Sequence, residues 1–262
     1  MGILNLTPDS FYDGGKYFSP DHAIKKAIKL QSEGADILDI GAESSRPGSD
    51  TISIDEEKER LIPVMNALKE SINIPVSIDS SRSEVIESAI KTGMICMIND
   101  IYACRRDEKI IDIVADSGLY IVIMHMQNSP RTMQNNPMYD NVIDSILSFF
   151  QERIDLFRKR GIKENQIILD PGLGFGKRLE DNISIIKNID RFRSFGYPVL
   201  LGPSRKSFIG AITGSEPEER LCGTAAVISN VARHGVDIIR VHDVKEMNDV
   251  IKITKALEYN EH

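Results

Sequence analysis

The feature that most constrains this chain is an alternation of short apolar runs with amphipathic segments, repeated eight times from end to end. The apolar runs are rich in β-branched residues, and the segments between them, such as 21–34 and 55–72, carry apolar residues at helical spacing. Apolar strands joined by helices predict a parallel sheet that is covered on both faces. The runs occupy residues 2–6, 36–43, 74–80, 94–101, 119–126, 167–172, 198–204 and 236–243.

Six glycines mark the ends of the predicted helices. Each lies between an amphipathic segment and the next apolar run, where a left-handed C-cap glycine is expected. Eight strand–helix units close a (β/α)8 TIM barrel, which commonly uses about 250 residues as a single domain. We therefore predict an α/β barrel with one domain over 1–262, and an open doubly wound sheet remains the alternative. The glycines are Gly34, Gly93, Gly118, Gly161, Gly196 and Gly235.

The composition excludes several classes of function. The 262 residues carry a net charge of -7, which is opposite to the basic footprint of a nucleic-acid-binding protein. The three cysteines form no CxxC pair, so neither a disulfide framework nor a zinc site is predicted. No run approaches the ~18 apolar residues of a membrane span. We expect a cytoplasmic protein without nucleic-acid or membrane partners.

Two of the predicted strand–helix loops are long for a compact barrel. They cover residues 7–20 and 44–54, and residues 127–138 form a third excursion before a long helix. Long glycine-bearing loops beside an active site commonly act as lids. We expect the first two loops to close over a ligand.

Polar residues end all eight apolar runs. A barrel places its active site at the carboxyl ends of its strands, so these side chains are expected to share one mouth. A single Asp or Asn at a strand end also caps helices and turns, so only the whole set predicts a ligand site. The set comprises Asn5, Asp39, Glu43, Asp79, Asn99, Asp100, His125, Asp170, Ser204, Arg205, Lys206, Ser207, Arg240 and His242.

These side chains have two chemical characters. A carboxylate, an amide and an ammonium group together suit a flat heterocycle edged with donors and acceptors. Guanidinium and imidazole groups instead suit an anion of high charge density, such as a diphosphate. The first group is Asp170, Asn99 and Lys206, and the second is Arg46, Arg240 and His242.

The stretch DPGLGFGK, residues 170–177, looks like a phosphate-binding loop but has the wrong spacing. Three residues separate Gly172 from Gly176 where a Walker loop has four, and Arg178 stands where that loop has Ser or Thr. Lys177 also replaces the last glycine of a dinucleotide fingerprint. The chain has no GxSxG or HExxH motif and no paired Cys and His. We therefore expect catalysis by positioning and charge stabilisation rather than by a covalent nucleophile.

Eight motifs, one for each predicted strand, together resemble dihydropteroate synthase. They are GILNLTPDSFYDGG, ESSRPGS, SIDSS, INDI, MHMQNSPRTMQ, DPGLGFGK, GPSRKSFIG and RVHDV, and they run in order from Met1 to about Asp243. The resemblance implies a TIM barrel that condenses 6-hydroxymethyl-7,8-dihydropterin diphosphate with p-aminobenzoate and releases pyrophosphate, in folate biosynthesis. It also implies Mg²⁺ as the cofactor and a homodimer.

The resemblance further implies roles for individual residues. Pterin binding is implied for Asp79, Asn99, Met124, Asp170, Phe175, Gly202 and Lys206. Diphosphate binding is implied for Asn5, Ser45, Arg46, Arg240 and His242, with Asn5 as the Mg²⁺ ligand. Contact with p-aminobenzoate is implied for Phe11, Pro47, Gly174, Phe175 and Ser207. The implied catalytic residues are Asp13, Arg46, Lys206 and Arg240.

The implied mechanism is largely dissociative, because the bond to the diphosphate breaks before the arylamine nitrogen attacks. Two other functions remain open at this stage. One is a methyltetrahydrofolate-binding methyltransferase, which shares the barrel and the pterin set but has no diphosphate to neutralise. The other is a pterin-binding module without catalytic activity.

Overall fold

A computed structural model describes residues 1–7, 20–44, 49, 51–134 and 136–258, together with the backbone of 12–13 and 17–18. Ten strands lie within this part of the chain. They are β1 (Gly2–Asn5), β2 (Tyr12–Asp13), β3 (Tyr17–Phe18), β4 (Leu38–Gly41), β5 (Val76–Asp79), β6 (Ile95–Asp100), β7 (Tyr120–Met124), β8 (Ile167–Asp170), β9 (Leu200–Leu201) and β10 (Ile238–Ile239). Eight of them match the predicted runs, and β2 pairs with β3 as an antiparallel hairpin inside the first long loop.

Ten α-helices alternate with the strands in the same part of the chain. They are α1 (Pro20–Ser32), α2 (Ile54–Leu68), α3 (Ser83–Lys91), α4 (Lys109–Ser117), α5 (Val142–Lys159), α6 (Leu179–Lys187), α7 (Ile189–Arg193), α8 (Ser207–Thr213), α9 (Leu221–Arg233) and α10 (Val244–Glu258). Two short 3-10 turns occupy Glu164–Gln166 and Pro217–Glu219. None of the described helices is both long enough and apolar enough to cross a membrane.

The helix ends follow the sequence prediction with one difference. All six predicted C-cap glycines have positive φ, between 69° and 92°. The helix predicted over 55–72 ends instead at Leu68, because the amide of Ser71 donates to the carbonyl of Leu68 and tightens the chain into a turn. Asn128 has φ 64°, a conformation that asparagine tolerates better than most residues.

The strands close into a barrel. Six of them form one parallel sheet in the order β1-β4-β5-β6-β7-β8, and β9 pairs with β10. Two parallel bridges join these sheets, one between Leu169 and Val199 and the other between Gly2 and Val241. The first and last strands of the series are therefore neighbours. In an open doubly wound sheet they would not pair in this way, so that alternative is wrong.

Two of the buried hydrophobic clusters belong to the barrel itself. Large side chains such as Ile40, Phe150 and Phe157 are buried between the barrel and its helices. A second cluster fills the barrel interior and contains Met97, Val122, Ile168 and Leu200, with Ile238 packed against it.

The interior cluster explains how the polar strand ends come together. Alternate residues of a strand point to the same side of a sheet, so the residue two positions after each interior residue also points inward. The strands thus present one further row of side chains above the apolar floor. The residues two positions beyond the floor residues are Asn99, Met124, Asp170, Gly202 and Arg240.

The DPGLGFGK loop packs tightly on the end of β7. Gly172, Gly174 and Gly176 all have positive φ, between 61° and 80°. A Cβ atom at Gly172 would lie 2.1 Å from the carbonyl oxygen of His125. The amide of Gly172 donates to Oδ1 of Asp170 at 2.8 Å. The glycines therefore allow the chain to turn closely around Asp170 and the neighbouring strand end.

Substitution of Gly172 by alanine tests this packing. We expect Gly172→Ala to lower the free energy of unfolding by about 1 to 3 kcal/mol more than Gly93→Ala does, because it adds an overpacking cost. Gly93 is the matched control, since its φ of 71° is almost the same as the 72° of Gly172 and a Cβ there has no neighbour within 4 Å. Urea unfolding of the three proteins measures the difference. Equal losses in the two variants would show that the loop is not closely packed on β7.

Candidate active site

The structure brings most of the predicted site residues to one end of the barrel. Asn5, Asp79, Met124 and Asp170 are the last residues of their strands, and Asn99 is the penultimate residue of β6. The others follow the ends of β8, β9 and β10; they are Gly174, Phe175, Gly202, Lys206, Ser207, Arg240 and His242. Phe11, Ser45, Arg46 and Pro47 lie outside the described residues, and only the backbone of Asp13 is described.

Arg240 links three strands across this mouth. Its Nε donates to Oδ2 of Asp39 at 2.6 Å, and its Nη2 donates to Oδ2 of Asp79 at 2.9 Å. Asp39 is completely buried, and the same Oδ2 accepts from Nδ2 of Asn99 at 3.1 Å. One guanidinium group and one buried carboxylate thus hold the ends of β4, β5, β6 and β10 together.

The same network sets the charge of Asp79. Burial raises the pKa of Asp79 to about 7; the Arg240 guanidinium opposes the shift, and the neighbouring Asp39 carboxylate adds to it. Near neutral pH this carboxyl group therefore changes easily between an acceptor and a donor of hydrogen bonds.

Lys206 and Phe175 form the opposite wall. Nζ of Lys206 lies 4.1 Å from the centroid of the Phe175 ring, a cation–π contact. Burial lowers the pKa of Lys206 to about 8, although the Asp170 carboxylate works against this shift. A Cβ atom at Gly174 would lie 3.1 Å from Cδ of Lys206, so glycine leaves room for this lysine.

Asp170 is held in place by the loop that follows it. Burial raises its pKa, and the hydrogen bond from the Gly172 amide, Lys206 and Lys177 partly offset that effect. Only Oδ1 of Asp170 is bonded, to the amide of Gly172. Oδ2 has no hydrogen-bond partner among the described residues and is therefore open to a ligand.

An apolar surface lines one side of the mouth. Met124, Met126, Met133 and Phe175 pack together in one buried cluster. Gln134 fastens the 127–138 excursion to this wall, because its Nε2 donates to the carbonyl oxygen of Gly174 at 2.7 Å. Flexible methionines beside an aromatic ring provide a surface that adapts to a flat apolar face.

A cavity of about 640 Å³ opens beside Asp79, a volume in the range of small-molecule sites. Its wall includes Ser81, Ile101, Tyr102 and Arg106. Among the predicted ring contacts it reaches only Asp79. The mouth is thus concave next to Asp79.

Asn5 is suited to a magnesium ion that is shared with a substrate. No group of three or more His, Cys, Asp or Glu among the described residues has the arrangement of a metal site. Mg²⁺ commonly keeps several waters and binds one or two protein oxygens together with substrate phosphates. The side-chain amide of Asn5 has no hydrogen-bond partner among the described residues, so its oxygen is available for this purpose.

Lys177 and His125 form a buried pair; His125 belongs to the predicted set of polar strand ends, whereas sequence reasoning did not assign Lys177 to the site. Nζ of Lys177 donates to the carbonyl oxygens of His125 at 3.1 Å and Phe175 at 3.0 Å, and it lies 3.1 Å from Nδ1 of His125. Burial lowers the pKa of Lys177 to about 7. Burial, followed by the charge of Lys177, lowers the pKa of His125 to about 2, so the imidazole is neutral. The pair fastens the glycine loop to the end of β7.

Asp39 is the other residue whose role the sequence did not reveal. It belongs to the set of polar strand ends, but no specific contact was predicted for it. The available signal is its position inside an otherwise apolar run, where an unpaired carboxylate would be very costly. That signal predicts a buried partner for Asp39, but it does not identify Arg240.

Comparison with known proteins identifies relatives of this chain. The profile of the family described as "Pterin binding enzyme" matches residues 1–242. The dihydropteroate synthase of Synechocystis sp. is 44% identical over 258 residues, which cover 98% of this chain and 89% of that protein.

Solved structures of related proteins resemble the whole fold. The dihydropteroate synthase of Xanthomonas albilineans with 4-aminobenzoic acid superimposes with a TM-score of 0.92 at 39% identity, covering 99% of this chain and 93% of that one. A complex of the enzyme from the same organism with 7,8-dihydropteroate gives a TM-score of 0.89 at 37% identity, with coverage of 99% and 93%.

The buried neutral state of His125 predicts a specific dependence of stability on pH. The unfolded chain binds a proton at this histidine below its ordinary pKa of 6.5, whereas the folded chain does so only near pH 2. The free energy of unfolding of the protein therefore falls as the pH drops through this window, by about 1.4 kcal/mol per pH unit, because of this histidine. The difference in free energy of unfolding between the wild type and His125→Gln should shrink by that amount per unit between about pH 6 and pH 4.

The control for this experiment is His22→Gln, which replaces an exposed histidine. Urea unfolding at several pH values measures all three proteins. If the free energies of unfolding of the wild type and His125→Gln changed in parallel with pH, the result would contradict a buried neutral imidazole.

Proposed function

The chain belongs to the pterin-binding enzyme family, as a dihydropteroate synthase of folate biosynthesis, and from this membership we propose how its residues share the reaction. The substrates are 6-hydroxymethyl-7,8-dihydropterin diphosphate and p-aminobenzoate. The methyltransferase and the non-catalytic module are set aside, because the relatives that match almost the whole chain are dihydropteroate synthases.

One observation carries the proposed pterin site. Four polar atoms around the mouth have no hydrogen-bond partner among the described residues, although their groups are buried or partly buried. They are Oδ1 of Asp79, Oδ1 of Asn99, Oδ2 of Asp170 and Nζ of Lys206. These atoms are accessible from the mouth, and a ligand edged with donors and acceptors can bond to all four of them. The amino-pyrimidine edge of a pterin is such a ligand.

The ring would lie against an apolar surface while its edge meets these atoms. Met124 and Phe175 supply this surface, and Gly202 leaves space beside Arg240, where a Cβ atom would meet only Cβ of Arg240 at 3.9 Å. Asp170, whose Oδ2 is unbonded, would accept from the 2-amino group and the ring N–H of the pterin. We assign Lys206 to an acceptor atom of the ring.

The diphosphate would lie nearer the rim. Arg240 and His242 follow β10, and Asn5 ends the neighbouring β1, so the three side chains come from adjacent strands. When bound, Mg²⁺ neutralises negative charge on the leaving diphosphate, and Asn5 would hold it together with phosphate oxygens and waters. The guanidinium of Arg240 suits a phosphate, since its fork of N–H donors matches two oxygens.

We propose a largely dissociative reaction. The C–O bond to the diphosphate breaks first, the electron pair leaves with pyrophosphate, and the cation is delocalised into the pterin. The nitrogen of p-aminobenzoate then forms the new C–N bond and loses a proton. An arylamine is neutral at pH 7 and needs little activation, whereas the leaving group needs charge stabilisation, worth roughly 1.5 to 3 kcal/mol for each charged hydrogen bond.

The site for p-aminobenzoate is a proposal that rests on the family pattern. Ser207, exposed at the start of α8, would donate to its carboxylate, and Gly174 and Phe175 would border its ring. The remaining roles fall on residues outside the described side chains. They are Phe11 and Pro47 for the pocket wall, Ser45 and Arg46 for the diphosphate, and Asp13 and Arg46 for catalysis.

We further propose that residues 1–262 act as one domain in the cytoplasm, as a homodimer. The exposed side chains of Ile212, Ile253 and Leu257 support an interface, because they lie on α8 and α10, both of which pack against α9. Light scattering should give the mass of a dimer for the wild type and of a monomer for the variant with both Ile253→Glu and Leu257→Glu. A dimer that persists in the variant would contradict this interface.

The activity itself is tested with purified protein. Pyrophosphate should be released only when the pterin diphosphate, p-aminobenzoate and magnesium are all present, with one dihydropteroate formed for each pyrophosphate. Removal of magnesium with a chelator should abolish release, and added magnesium should restore it. Failure of a folded chain to release pyrophosphate under these conditions would overturn the proposed reaction.

Substitution of Asp170 tests the pterin site. Asparagine keeps the acceptor for the Gly172 amide but loses the charge and presents a donor to the pterin edge. We expect KM for the pterin diphosphate to rise about 10- to 100-fold, from the loss of one or more charge-assisted hydrogen bonds. KM for p-aminobenzoate should stay within a factor of about two, and the exposed Asp140→Asn serves as the control. A change confined to KM for p-aminobenzoate would contradict the assignment.

A further inference from the structure

Ser204 joins the ends of β9 and β10 beneath His242. The serine is buried, and its Oγ lies 2.9 Å from Nδ1 of His242. The backbone N–H of His242 donates to the same Oγ at 3.3 Å. Nothing in the proposed reaction uses Ser204 directly, so these two contacts with one residue need an explanation.

The direction of this contact and the tautomer of the imidazole are linked. A serine hydroxyl has a single proton to donate, and Nδ1 of His242 is the one acceptor for it among the described residues. A hydroxyl that donates to Nδ1 requires Nδ1 to carry no proton. Burial, followed by the charges of Arg240 and Arg205, lowers the pKa of His242 to about 4, so the ring is neutral at pH 7. In the arrangement in which Ser204 is the donor, the single ring proton lies on Nε2.

The other edge of the ring is free. Nε2 of His242 has no hydrogen-bond partner among the described residues, and it lies on the ring edge away from Ser204. An Nε2–H group donates to an anion, whereas an unprotonated Nε2 would present a lone pair to it. The choice of tautomer therefore determines whether His242 attracts or repels a phosphate oxygen.

A second contact fixes the same strand ends. Nε and Nη2 of Arg205 donate to the two carboxylate oxygens of Asp243, at 3.0 and 2.5 Å. Arg205 has φ 57°, which is strained for a residue with a Cβ, and this ion pair helps to hold it there. The ion pair thus holds the residue that follows Ser204 and the residue that follows His242. The hydroxyl therefore meets the ring in one geometry.

We propose that Ser204 is a positioning residue that holds His242 as the Nε2–H tautomer, so that the neutral imidazole donates a hydrogen bond to the diphosphate leaving group. This role rests on the proposed function. His242 would assist departure of the diphosphate as a fixed neutral donor, and Arg46 and Arg240 would supply positive charge at the rim.

The first test reads the tautomer without any substrate. In a chain labelled with ¹⁵N-histidine, NMR should show His242 of the wild type with its proton on Nε2, with the signals assigned by their absence from His242→Phe. Ser204→Ala should give a mixture of tautomers, and Ser204→Thr, which keeps a hydroxyl, should restore Nε2–H. A wild-type ring protonated at Nδ1, or an unchanged ring in Ser204→Ala, would overturn the proposal.

The second test connects the tautomer with the reaction. Ser204→Ala should lower kcat/KM for the pterin diphosphate about 10-fold, the loss expected for one hydrogen bond to a charged group. The Kd of a pterin without the diphosphate should change less than about twofold. The Tm of Ser204→Ala should stay close to that of the wild type. In a His242→Phe background, Ser204→Ala should cost less than about twofold more.

Losses that multiply in the double variant would show that Ser204 does not act through His242 and would overturn the proposal. A wild-type chain with the expected tautomer but no pyrophosphate release would overturn the proposed function, and the role of Ser204 toward the diphosphate with it. The NMR measurement separates these two failures.

Discussion

The site depends on one interaction, the contact of Arg240 with two carboxylates. Arg240 follows the last strand of the barrel, whereas Asp39 and Asp79 come from β4 and β5. These strands are not neighbours of β10, because β1 lies between β10 and β4. The guanidinium therefore spans the mouth and fixes the strand ends at the point where the barrel closes. Removing one partner of such a buried pair costs about 3 to 5 kcal/mol, so this interaction supports the fold as well as the site.

Cations gathered at one mouth let an acidic protein bind an anionic substrate. The chain carries a net charge of -7, yet cations converge on the mouth. Burial lowers the pKa of Lys206 to about 8 and that of Lys177 to about 7, whereas Asp39 and Asp79 help to raise the pKa of Arg240. A ligand edged with hydrogen-bond donors and acceptors supplies partners to the polar atoms that line the mouth.

Much of this arrangement could be predicted from the sequence, because it follows from period and topology. Eight apolar runs determine the barrel, and the two-residue period places Asn99 and Asp170 just above an apolar floor. The side-chain partners could not be predicted in the same way. Arg240 and Asp39 are 201 residues apart, and their contact depends on the strand register and on a rotamer. The pairing of Lys177 with His125 likewise depends on how closely Gly172 and Gly176 let a loop approach the end of β7.

The central claim is that one mouth holds a flat ring at depth and a diphosphate at the rim, with Arg240 between them. A crystal structure of the chain with 6-hydroxymethyl-7,8-dihydropterin diphosphate bound tests it most directly. The account predicts the ring edge on Asp79, Asn99 and Asp170, and the phosphates on Arg240 and His242. A pterin ring bound elsewhere, or a diphosphate on the opposite side of the mouth from β10, would contradict it.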